Sequence, residues 1–167
     1  MTRVIAILFA SILFTSCYSY KIFPKEYRHF TYNGEKQTSF IENPELKKEN
    51  EILKQSGIFV FTNDSLAQNC VRVKLHPLKK PFVCGEPIVA SAITLGQLPV
   101  YFPDRYQYQF DEIHNGDTTS KNFELLIAQR FWFWDMFVMH KRFKQKAGKA
   151  LLANYYNPNT SSPLSKR

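Results

Sequence analysis

Eleven consecutive residues, Val4–Phe14 (VIAILFASILF), are apolar apart from Ser11, and this run decides which part of the chain is available to fold. As a helix it rises about 16 Å at 1.5 Å per residue, roughly half of a hydrocarbon core of about 30 Å. It cannot be extended, because Tyr18-Ser19-Tyr20-Lys21 is polar or amphipathic. The run is too apolar for a water-facing surface and too short for a stable span. The fold is therefore to be sought after it.

Met1-Thr2-Arg3 supplies one positive side chain ahead of the run, and the length is that of the apolar region of a secretory signal peptide. Its end, Leu13-Phe14-Thr15-Ser16-Cys17, resembles the lipobox of bacterial lipoprotein signal peptides, with small residues just before the cysteine. Phe14 stands where that family usually carries Leu. The resemblance implies that residues 1–16 are a signal peptide, and that Cys17 becomes the first mature residue. Its thiol would carry a diacylglyceryl group and its amino group an acyl chain. Each buried CH₂ contributes about 0.8 kcal/mol, so two or three chains hold far more firmly than one. By the sorting rule of such lipoproteins, Asp after the cysteine retains the protein at the inner membrane; Tyr18 implies the outer membrane. The Ser-Cys ending and the Tyr, Phe, Lys and Asn content are similar to those of Bacteroidetes lipoproteins. There, acidic residues after the cysteine favour surface display, and Tyr18–Phe23 has none, which implies the periplasmic side. Two alternatives stay open: ordinary cleavage after Ser19, giving a soluble secreted protein, or an uncleaved N-terminal anchor.

The chain beyond Cys17 is long enough for one domain with a core. Hydrophobic content of 44% and aromatic content of 16% belong to a globular chain rather than a disordered one. The formal charge of +8 is uneven. From Cys17 to Asp135, 14 basic residues balance 14 acidic ones, while Lys141, Arg142, Lys144, Lys146, Lys149, Lys166 and Arg167 stand without any acid. For an exported chain this C-terminal basicity suits a solvated helix face, or an anionic lipid or polysaccharide surface, better than nucleic acid.

Residues 17–42 read as a polar, lipid-anchored tether, with a short strand near Phe30–Tyr32 before the turn Asn33-Gly34. A single domain is expected over residues 43–157. Asn43-Pro44-Glu45 has the order of a helix start, and Gly57 is placed to cap the helix C-terminus. Strands are expected at Ile58–Thr62, Val71–Leu75, Pro87–Gly96, Pro99–Phe102 and Tyr106–Ile113. In YQYQF, Tyr106, Tyr108 and Phe110 share one face. Asn115-Gly116-Asp117 then turns the chain. Ser120 is expected to cap a long helix from Lys121 carrying Phe123, Leu126, Ile127, Phe131 and Trp134 on its apolar side. Residues 158–167 read as a disordered tail. The expected class is α+β: an antiparallel sheet of four to five strands, an N-terminal helix and a long C-terminal helix packed on the sheet.

Folding Val71–Leu75 back through His76-Pro77 sets Cys70 opposite Cys84, where a bridge would close a loop of about 15 residues at about 3 kcal/mol. A disulfide or two separate buried thiols are both consistent with the spacing. His29, His76, His114 and His140 fall in no metal-binding spacing, and no metal or cofactor is expected. His114, Asp117 and Ser120 lie close in sequence, but a turn followed by a helix start uses the same residue types. Tyr101, Tyr106 and Tyr108, with Arg105 and two glutamines, would stack sugar rings if that face were exposed; otherwise it packs beneath a helix. The expected function is a lipid-anchored envelope protein, non-enzymatic, serving binding or assembly with other envelope proteins or glycans. The alternatives are a glycan-binding lipoprotein of a polysaccharide-uptake system and a small hydrolase.

Overall fold

The computed structural model describes residues 18–65, 70–80, 100–131 and 142–157. Six strands form one sheet: β1 (Tyr18–Phe23), β2 (Thr38–Ile41), β3 (Val60–Phe61), β4 (Val71–Leu75), β5 (Val100–His114) and β6 (Asp117–Phe131). Two helices, α1 (Lys47–Ser56) and α2 (Phe143–Tyr156), and a short 3₁₀ turn at Lys25–Arg28 complete the described elements. The strand order is β1-β6-β5-β4-β2-β3. β1, β6, β5 and β4 pair antiparallel, whereas β2 lies parallel to both β4 and β3. The sheet is thus mixed and six-stranded, not antiparallel with four or five strands.

The β5–β6 hairpin dominates the sheet, and it corrects the expectation of a long C-terminal helix from Lys121. Asn115 (φ 52°) and Gly116 (φ 94°) form a two-residue turn with both central residues at positive φ, which matches the twist of the strands it joins. The register then runs without a break from His114↔Asp117 to Val100↔Phe131. Ser120 consequently sits in β6 rather than at a helix start. Phe123, Leu125 and Ile127 face the core in alternation. Pro103, expected to divide two strands, lies inside one. Proline lacks an N–H, so it fits a strand only where that position faces an unpaired side. Among the described residues, β5 is flanked there by β6 alone, since β4 reaches only Phe110–Ile113.

The supposed tether is structured as well. β1 pairs along its whole length with β6, Tyr18↔Phe131 to Phe23↔Leu126, and β2 lies at Thr38–Ile41 rather than at Phe30–Tyr32. The first helix starts at Lys47, four residues after Asn43. Asn43 has another role: its amide donates to the Leu75 carbonyl (2.8 Å) and accepts from the Leu75 N–H (2.8 Å). The side chain thereby extends the β2–β4 ladder by one rung. At the other end, Gly57 caps α1 with φ 68°, as the sequence indicates.

Both helices cover one face of the sheet. Ile52 and Leu53 from α1, and Ala147, Ala150 and Leu151 from α2, are fully buried with Val73, Tyr108, Phe110, Leu125 and Ile127. Each fully buried aliphatic contributes about 1.5–3 kcal/mol. The helices cross closely at Gly148, where an added Cβ would lie 2.7 Å from the Gln55 carbonyl carbon and 2.8 Å from the Ser56 nitrogen. The candidate strand Pro87–Gly96, His140 and the tail 158–167 lie outside the described residues.

Candidate functional site

Cys17 and Cys84 also lie outside the described residues. Cys70 carries a free thiol, half-buried, with its Sγ 3.8 Å from the Val71 carbonyl. Burial, and then the nearby Asp64 carboxylate, push that thiol above its ordinary pKa, which makes it a poor nucleophile at neutral pH.

The three candidate stacking tyrosines do not form one face. Because β5 is continuous through Pro103, Tyr101 points to the side of the sheet opposite Tyr106 and Tyr108. Tyr106 is 6% exposed and Tyr108 0%, both under the helices, so neither ring can receive a sugar. The Tyr106 hydroxyl donates to Asp104 (3.1 Å) and the Tyr108 hydroxyl to the Glu49 backbone oxygen (2.7 Å). Burial raises the pKa of both phenols. Tyr101 is half-buried, and the Lys21 ammonium donates to its hydroxyl and lies over its ring, 4.5 Å from the centroid. That hydrogen bond, helped by one from Arg130, holds the phenol below its ordinary range. Its ring face is already occupied.

The polar residues near the hairpin regroup as well. His114 and Asp117 face each other across the turn, both exposed, while Ser120 turns to Asp111. The Ser120 hydroxyl donates to Asp111 Oδ1 (2.6 Å), and His76 Nε2 lies 2.8 Å from Asp111 Oδ2. An activated serine needs its proton directed to an imidazole. Here the carboxylate stands between the two, so the trio joins β5 and β6 to the segment after β4 and activates nothing. The hydrogen bonds from Ser120 and then His76 hold the Asp111 carboxyl below its usual pKa. Among the described residues, no three His, Cys, Asp or Glu side chains gather as a metal set.

Lys144 pairs with Glu51 of α1, and burial lowers the pKa of Lys146.

The cavities on the described surface include a smaller and a larger one. The smaller, about 150 Å³, is lined by Tyr32, Glu35, Gln37, Phe59 and Tyr156. Tyr32 and Tyr156 stack on each other there, with centroids 3.6 Å apart and planes within 10°. The larger, about 280 Å³, lies where β2 and β3 end, between Phe40, Glu42, Phe61 and Thr62 and the α1 residues Asn50 and Lys54. The Asn50 Oδ1 atom is buried and has no hydrogen-bond partner among the described residues. None of these cavity residues stands out in the sequence, because they come from three separate segments and form no motif. Comparison with known proteins found no family model that matches the chain and no matching curated sequence.

Proposed function

We propose that the chain is a lipid-anchored protein of the bacterial cell envelope, held at the periplasmic side of the outer membrane through Cys17. Its sheet domain serves as a non-enzymatic binding or assembly module. The observation that carries this reading is the short apolar run Val4–Phe14 ending in Leu13-Phe14-Thr15-Ser16-Cys17. A further fact supports it. The ordered sheet begins at Tyr18, so cleavage before Cys17 removes nothing from the described fold.

Metabolic labelling with a clickable fatty acid tests the anchor. The wild-type protein is expected to carry label and to fractionate with membranes; Cys17→Ser is expected to lose both. A Cys17→Ser chain that labels as strongly as wild type overturns the reading.

A further inference from the structure

Charge is distributed unevenly along the strands, and the basic end is the one that follows Cys17. β1 starts at Tyr18 opposite Phe131, the end of β6, which lies opposite Val100, the start of β5. Counted from that row, the nearer half of β1, β5 and β6 carries Lys21, Arg105 and Arg130 against Asp104 alone. Asp104 is itself met by the Lys80 ammonium at 2.9 Å. The farther half, up to the turn at Asn115-Gly116, carries Asp111, Glu112, Asp117 and Glu124 against Lys121. There β4 adds Arg72, paired with Glu42 at 2.6 Å, and Lys74, opposite Asp111, so the farther half stays acidic. The helices share this polarity. Lys48 lies 5.0 Å from the Phe143 ring, and Gly148 lies against Gln55 and Ser56, so α1 and α2 run side by side in one direction. Both start on the nearer side, where the Phe143 ring is 5.1 Å from those of Tyr20 and Tyr106. Arg142 stands at the start of α2, which has no acid in its first turn. A cation there opposes the helix dipole, so helix stability does not account for it.

Two of these cations stand close enough to Cys17 to meet a lipid headgroup. Lys21 is three residues past Tyr18, and Arg130 directly precedes Phe131. At roughly 3.3 Å per residue both lie within about 10 Å of the first row, about one Debye length at moderate salt. They project from the sheet face opposite the helices: Lys21 alternates with the buried Ile22, and Arg130 shares a rung with Tyr101. Both donate to the Tyr101 hydroxyl, Lys21 reaching it across the small Ala128 that it pairs with. An ammonium has three donors; Tyr101 takes one, and among the described residues Lys21 meets no carboxylate. Tyr20 and Tyr101, both half-buried, share these rows, and tyrosine favours the membrane–water boundary. We infer that this end of the domain is a docking surface for anionic phospholipid headgroups. The phosphates meet Lys21 and Arg130, and the acidic turn of the β5–β6 hairpin is held away from the bilayer. This docking rests on the anchored reading of Cys17, which brings the first row to the membrane, and it specifies the lipid charge and the side chains that meet there. The linking residues 81–99 and 132–141 carry Glu86 and Asp135 against Lys141, which does not reverse the sign of this end.

The test places the mature lipidated protein in nanodiscs of phosphatidylcholine, with or without phosphatidylglycerol. Acetylation of each lysine by a water-soluble reagent is then timed by mass spectrometry. Lys21 is expected to react about fivefold more slowly in the anionic discs, the factor equivalent to about 1 kcal/mol per basic residue at an anionic surface. High salt is expected to cancel that difference. Lys121, in the farther half of β6, is expected to react alike in both discs. Equal Lys21 rates in the two discs overturn the proposal; if both are slow, the cover comes from the protein itself. Slowing of Lys121 as large as that of Lys21 also overturns it, because the domain then lies flat on the membrane. Intact mass read on the same preparation separates the two readings. A chain without acyl groups refutes the anchor, whereas an acylated chain with unslowed Lys21 refutes only the docking surface.

Discussion

Single polar side chains hold together segments that the backbone alone leaves apart. Asn43 bridges β2 to β4. Glu49, only 8% exposed, accepts the Leu78 N–H at 2.9 Å. Asn154 of α2 accepts from Tyr27 and donates to the Glu124 carbonyl. Asp111 belongs to the same class and has a pH signature. Its folded pKa is depressed, so it contributes stability above the unfolded value of about 3.9. That stability is lost as pH falls through the folded value, in a window below about pH 4. Asp111→Ala is therefore expected to cost about 2 kcal/mol at pH 7, the scale of hydrogen bonds to a charged group. It is also expected to flatten the loss of stability on acidification. Urea unfolding of both proteins at pH 7 and pH 3 measures this; equal losses in the two proteins would count against the assigned role. Nothing in the sequence singles out Asp111, because its partners His76 and Ser120 come from other elements. His114, Asp117 and Ser120 look closer in sequence than they are in function.

Local signals decide some elements and mislead about others. Gly57 and Val71–Leu75 are legible because a cap and an alternating strand are local patterns. The segment after Asn115-Gly116 is not. Phe123, Leu126, Ile127 and Phe131 mark one side of a helix, while Phe123, Leu125 and Ile127 alternate as a strand. The choice falls to β6 because β5 and β1 pair with it on either side, and those contacts are remote in sequence. The crossing of α1 and α2 is also set by a remote contact, at Gly148. Alanine there gains about 1 kcal/mol in helix propensity. Its Cβ, however, meets the backbone at 2.7 and 2.8 Å, and overpacking of this kind costs about 1–3 kcal/mol. Gly148→Ala is expected to lower the denaturation midpoint, and a stabilised variant would show that the helices are free to move apart.

Across the whole molecule, stability is expected to be graded from the centre of the sheet to its edge. β6 is paired on both sides, and Leu125 and Ile127 are fully buried within it. Among the described residues, β3 has two residues and one neighbouring strand, with Val60 54% exposed. In hydrogen–deuterium exchange, the β6 amides from Leu125 to Ile127 are expected to be the slowest and those of β3 among the fastest. Comparable protection in the two strands would contradict that order. At this scale the helix-covered sheet is legible as a class, whereas the mixed pairing and the larger cavity are not. The cavity draws on Glu42, Asn50, Lys54 and Thr62, which are adjacent only once β2, α1 and β3 are assembled. The start of β1 at Tyr18 has one last consequence. With a lipid on Cys17, the rigid sheet begins within about 4 Å of the acylated residue, which leaves no leash. Such a domain drifts in two dimensions with its lipid, and it meets only what travels along, or arrives at, the same leaflet.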